Sequence, residues 1–114
     1  MATNIIKYNY HIIMNKEAFM TFEWDENKNK VNISKHGIDF AEACTSFFDD
    51  DALLFDDPDH SEDEERFLLI GMSRKTRVLT VSHCYRKEGE VIRIISARKA
   101  TKTETDYYVN GGEI

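Results

Sequence analysis

The sequence predicts an α+β domain: a single antiparallel, twisted β-sheet with two N-terminal helices and one C-terminal helix. Three observations carry that prediction. The chain has 114 residues, enough for one hydrophobic core and too few for two. Three segments, 66–72, 78–85 and 91–98, are apolar or alternating and rich in β-branched residues, with connections short enough for antiparallel neighbours. Capped segments of helical period flank this group of strands and do not alternate with them, which is an α+β order.

Residues 1–19 show no clean period and end just before Met20, which reads as a natural start. They are expected to be an extension or an alternative start, poorly ordered, or else to add a strand from Tyr8 to Met14. The domain proper is then 20–114. Met20 to Asp25 forms a first strand with Phe22 and Trp24 on one face. Asp25 caps a helix to about Lys35, and Gly37 supplies the left-handed residue that ends it. Asp39 caps the next helix, with Glu42 three residues on as a capping box requires. Phe40, Ala43, Cys44, Phe47 and Phe48 recur at helical period and face the core. A short strand near Ala52 to Phe55 precedes the three longer ones. Arg74 to Arg77 and Lys87 to Glu90 make the hairpin connections, the second helped by Gly89. Thr101 or Thr103 caps a last helix through Tyr107, Tyr108 and Val109, which Gly111 and Gly112 stop.

Composition narrows the function classes. No apolar run approaches the roughly 18 residues of a membrane span, and the first residues do not read as a secretory signal. Cys44 and Cys84 match no metal or redox spacing and read as buried or free thiols of a reducing cytoplasm. The formal net charge is −6 and unevenly spread. Residues 49–65 carry ten acids and no Lys or Arg, whereas residues 66–110 carry ten basic residues against four acids. Fields are screened beyond roughly 10 Å at ordinary salt, so a polyanion meets the local charge and the second half can bind RNA. The acidic run is either a solvated loop or a surface that faces away from RNA.

Cutting RNA without a metal requires a base for the 2′-hydroxyl proton, an acid for the leaving oxygen and cations for the pentacoordinate phosphate. Lys35 and His36, at a helix end beside Gly37, are the first candidates; the alternative is that both only complement the helix dipole. Arg66, Arg93 and Arg98 are the second. Charges within apolar strands are costly unless paired or facing solvent. Strict alternation puts Arg93 and Arg98 on opposite faces unless a bulge intervenes. Each is otherwise an ion-pair partner of the acidic segment. Tyr107 and Tyr108 either stack on a base or simply pack. His83 reads as a satisfied core or edge histidine, and His11 and His60 receive no role. No phosphate loop, Ser-His-Asp order, zinc spacing or calcium loop is present.

The series Phe22-Glu23-Trp24-Asp25 with Lys28, Asn32, Lys35-His36-Gly37, Phe40 and Ala43 resembles the BrnT family of toxins. It continues with Arg66, Gly71, Ile92-Arg93-Ile94-Ile95-Ser96-Ala97-Arg98, Ala100, Glu104 and Tyr107 or Tyr108. The likeness spans Met20 to Tyr108; the first 19 residues and the acidic loop depart from it. It implies a fold similar to the RelE group and a cofactor-free, metal-independent endoribonuclease that halts translation and growth. It also implies a BrnA-like antitoxin of ribbon-helix-helix type, with operator DNA bound only through the toxin–antitoxin complex. Carried over by position, Lys35, His36, Arg66, Arg93 and Arg98 are the catalytic candidates, and Lys28, Tyr107 and Tyr108 the substrate-binding ones. Base and acid stay unassigned. The alternative is a non-catalytic RNA- or protein-binding module. Under either reading, the acidic segment repels RNA from one side or docks a basic stretch of the antitoxin.

Overall fold

The computed structural model describes residues 4–11, 19–57, 59 and 64–113, with backbone alone at 8–11 and 19. His60, Glu62 and Asp63 of the acidic run lie outside the described residues, as does the 12–14 part of the strand expected at Tyr8 to Met14.

The chain runs β1 (Ile5–His11), β2 (Phe19–Asp25), α1 (Glu26–His36), α2 (Phe40–Thr45), β3 (Leu53–Asp56), β4 (Phe67–Met72), β5 (Val78–Arg86), β6 (Val91–Lys99) and α3 (Lys102–Val109). The strands form one sheet in the order β1-β2-β6-β5-β4-β3. The sheet is mixed, which corrects the expectation of a purely antiparallel one: β2 and β6 are parallel, with Phe22 opposite Ile92 and Glu23 opposite Arg93. Short connections dictate antiparallel pairing only between consecutive strands. The chain from β2 to β6 passes through two helices and three strands, long enough to return in the same direction. Ile5–His11 pairs antiparallel with β2, Tyr8 opposite Phe22.

Alternation sorts the strands into two faces. Phe22 and Trp24 of β2, Leu79 and Val81 of β5, and Ile92, Ile94 and Ala97 of β6 are buried together with Ile38, Phe40, Ala43 and Cys44. α1 and α2 therefore pack on this face, with Trp24 edge-on to Phe40 at 6.2 Å. α3 lies against the other face, where Tyr107 packs on Phe55 at 5.6 Å.

Capping residues set the helix bounds. The Asp25 carboxylate accepts from the Asn27 amide at 2.8 Å, and Gly37 closes α1 at φ 68°. Asp39 accepts from the Glu42 amide at 3.1 Å, but the capping box is only half made. The Glu42 carboxylate turns instead to Ser73 Oγ at 2.7 Å and to the Arg77 guanidinium. Burial opposes ionisation of Glu42, yet the bonds from Arg77 and Ser73 outweigh it and hold the group below the usual carboxylate range. α2 is shorter than its period suggested; Ser46–Phe48 tighten into a 3-10 turn that leaves Phe47 and Phe48 half-buried around Phe22. The box at α3 is complete: Thr101 accepts from the Glu104 amide and the Glu104 carboxylate from the Thr101 amide.

Candidate functional site

β2 ends at Asp25 while β6 continues to Lys99, so the β6 edge past Arg93 loses its strand neighbour. α1 fills the gap. Asn32 is buried; its Nδ2 donates to Ala97 O and to Ile38 O, both at 2.8 Å. Its Oδ1 accepts from Ala97 N at 3.1 Å. One side chain thus stands in for a strand. Among the described residues, a groove of about 320 Å³ opens between α1 and β6, with Lys28, Lys35 and His36 along its helix wall and Ile95 and Ser96 along its strand wall. The spacing of Lys28, Asn32, Lys35 and His36 keeps them on one side of the helix.

A bulge arranges the strand wall. Register between β5 and β6 shifts at Ser82/His83: His83 faces Ile94 but Ser82 faces Ser96, leaving Ile95 as the surplus residue. Arg93 opposes Cys84, Ser96 opposes Ser82, and Arg98 opposes Thr80. Those three β5 partners alternate along one face, so Arg93, Ser96 and Arg98 share it, turned away from α1 and α2. The bulge defeats the simple alternation that separates the two arginines. Arg66 precedes β4 and carries on its ladder, its carbonyl accepting from the Asp57 amide at 2.8 Å. One position before Phe67, which faces His83, Arg66 falls level with Cys84 and Arg93. Its Cα is thus about two strand spacings, roughly 10 Å, from that of Arg93. Lys28, Lys35 and His36 are brought to one groove; Arg93 and Arg98 flank its Ser96; Arg66 lies farther out on the same face.

Two arginines are held by carboxylates of their own. Glu23, buried on β2, accepts from Arg93 Nε at 2.6 Å and pairs with Nη2. Glu104 binds Arg98 through both oxygens, at 2.6 and 3.0 Å, and accepts from Thr80 Oγ1 at 3.0 Å. The bond from Arg98 leads the causes that pull Glu104 down to about 2. A guanidinium has five N–H donors, so each arginine keeps some for another anion.

Tyr107 and Tyr108 do not reach the groove. Tyr107 packs on Phe55, and Tyr108 donates to Asp49 at 2.6 Å. Burial and then that bond push the Tyr108 hydroxyl up to about 12. His83 is fully buried, edge-on to Phe47 at 4.8 Å, with Nδ1 3.2 Å from Val81 O. Burial holds it down to about 4, neutral near pH 7. Cys44 and Cys84 are both free and buried. Among the described residues no three His, Cys, Asp or Glu side chains gather as a metal site, and no helix is long and apolar enough to cross a membrane.

Sequence reasoning gave no role to Glu23, Asn32, Ser96 or Glu104. Glu23 had a visible signal, a carboxylate between the core residues Phe22 and Trp24. Glu104 stands at the third position of a capping box. Nothing local marks Asn32 or Ser96, whose placement depends on a strand some sixty residues away and on a bulge.

The model of the ribonuclease toxin BrnT of type II toxin–antitoxin systems matches residues 24–104. The crystal structure of the Brucella abortus ribonuclease toxin BrnT is similar, with a TM-score of 0.54 and 30% sequence identity; the match covers 69% of this chain and 94% of that one. No curated protein matches the sequence. The matched span takes in Trp24, all three helices up to Glu104 and both walls of the groove, and on that ground the chain belongs to the BrnT family of ribonuclease toxins of type II toxin–antitoxin systems.

Proposed function

We propose that the chain cuts RNA internally and without a metal at the groove between α1 and β6. The single observation that carries this reading is the convergence of Lys28, Lys35 and His36 on a groove whose Ser96 lies between Arg93 and Arg98 on one sheet face. A phosphodiester laid across Ser96 has the α1 cations on one side and the arginines on the other. The 2′-hydroxyl oxygen attacks the adjacent phosphorus as its proton passes to a base. The P–O5′ bond breaks as an acid protonates the leaving oxygen, giving a 2′,3′-cyclic phosphate and a free 5′-hydroxyl. His36 serves in one of the two proton transfers. Lys35, Arg93 and Arg98 stabilise the charge that builds on phosphorus; Lys28 and the more distant Arg66 hold neighbouring phosphates. Tyr107 and Tyr108 are engaged elsewhere and take no part.

In this reading, cleavage of cellular RNA in the cytoplasm halts translation and growth. A BrnA-like antitoxin with a ribbon-helix-helix DNA-binding part neutralises the toxin and carries the complex to operator DNA. The order of two helices, sheet and final helix supports kinship with the RelE group.

The test is cleavage of an end-labelled RNA by the purified protein in excess chelator, with product ends identified. His36→Ala and Lys35→Met change exposed residues and leave the fold intact. His36→Ala is expected to slow cutting by about 10² to 10⁴, the usual worth of a proton-transfer group. Full cutting by both variants removes them from the mechanism. Salt-sensitive RNA binding with no cut product makes the chain a binding module.

A further inference from the structure

We propose that a second, apolar groove on the helix-bearing face is the docking site of the antitoxin, which enters it as an amphipathic helix with basic flanks. The proposal rests on the toxin–antitoxin reading of the chain. α1 and α2 cover only part of that face. Beyond Phe47, a groove of about 690 Å³ runs from Leu54 on β3 over Leu69, Tyr85 and Ile92 to Met20 on β2. Leu54 and Tyr85 are 53% and 39% exposed, although the apolar face of a sheet is normally covered. The groove crosses five strands, β3-β4-β5-β6-β2 in sheet order. At about 4.8 Å per strand it is roughly 19 Å long, and at 1.5 Å per residue it seats a helix of about 13 residues. A helix laid there fills the place next to α2 and buries the exposed apolar side chains, which is the helix-in-groove mode of recognition.

Charge selects the occupant. Asp56 lies two residues from Leu54 on the same face, Asp50 and Asp51 follow Phe47 and Phe48, and Glu90 closes the β6 end; all four are exposed. Against them stands Lys87. An acidic rim repels RNA. It also opposes a second copy of this chain, because a two-fold contact sets the same acids against one another. A basic-flanked helix is attracted on both counts, and steering of this kind is weakened by salt. The groove lies on the opposite sheet face from Ser96, Arg93 and Arg98, so docking and cutting are separable by mutation.

The test uses the complex with the antitoxin encoded by the adjacent reading frame. Leu54→Asp and Asp56→Lys both alter exposed side chains. Each is expected to weaken antitoxin binding at least tenfold, with a smaller salt dependence for Asp56→Lys, while RNA cleavage by the free toxin stays at the wild-type rate. His36→Ala gives the reverse pattern: full antitoxin binding and lost cleavage. Wild-type affinity in both groove variants overturns the proposal. So does a wild-type toxin that is dimeric alone and that Leu54→Asp turns monomeric. If the free chain does not cut RNA at all, the nuclease reading fails while the binding result still decides the docking surface.

Discussion

The carboxamide of Asn32 grips both polar groups of the Ala97 peptide, donating to its carbonyl at 2.8 Å and accepting from its amide at 3.1 Å. α1 is thereby fastened to the sheet by a hydrogen-bonded ring, with a third bond to Ile38 O. Asn32→Ala leaves three buried backbone groups unsatisfied, each worth about 1 kcal/mol or more. A loss of roughly 3 kcal/mol in unfolding free energy is expected by denaturant titration. Asn32→Asp is expected to be no better, since it turns an acceptor toward two carbonyls. Wild-type stability in the alanine variant would mean that α1 docks by other contacts.

The Arg93–Glu23 pair gives a second prediction, in which stability and activity part. Removing Arg93 alone strands a buried carboxylate, a change that costs about 3 kcal/mol or more. The double variant Glu23→Gln, Arg93→Met is expected to regain most of that stability while its RNA cleavage stays as low as that of Arg93→Met. Recovery of cleavage in the double variant would reduce Arg93 to a structural partner of Glu23.

His83 makes stability depend on pH. In the unfolded chain its pKa is near 6.5; in the fold burial holds it down to about 4. Between those values the unfolded state binds a proton that the native state refuses. The contribution is complete above about pH 6.5 and is lost as pH falls through about 4, amounting to roughly 3 kcal/mol. His83→Gln is expected to flatten the fall in stability between pH 7 and pH 5. Parallel curves for the two proteins would show that His83 is not the titrating group.

Gly71 is predicted to resist even the smallest side chain. A Cβ there would stand 2.7 Å from the Ser46 carbonyl oxygen, with Ala52 and Leu69 also in contact. Gly71→Ala is expected to destabilise the protein by about 1–3 kcal/mol, the usual cost of overpacking. Its far-ultraviolet circular dichroism should be unchanged at low temperature, with an earlier thermal transition.

Much of this molecule is legible in its sequence because it is local. Asp25 and Gly37 mark the ends of α1, Thr101, one of two candidate caps, the start of α3, and the alternation of Phe22 with Trp24 the buried side of β2. The parallel pairing of β2 with β6 was not legible, since periodicity reports which face a strand buries and not which strand lies beside it. Glu42 was read from its spacing to Asp39 and went instead to Arg77, a stronger partner thirty-five residues away. At the candidate site, Lys35 and His36 were found from a helix end. Their relation to Arg93 and Arg98 depends on the irregularity at Ile95, which no local pattern announces. Asp49, read as one of ten surface acids, accepts from Tyr108 Oη and the Met72 amide, while Asp50 and Asp51 beside it are exposed.

The surplus residue in β6 makes the length of that strand a chemical variable. An insertion or deletion in a surface loop shifts a few atoms. Losing Ile95 would straighten the strand: Ser96 would follow Ile94 in unbroken alternation, and Ala97 and Arg98 would keep their places opposite Val81 and Thr80. Shortening this one strand by a single codon at Ile95 is therefore expected to spare the core and the Arg98–Glu104 pair, and to take one side chain from the strand wall of the groove.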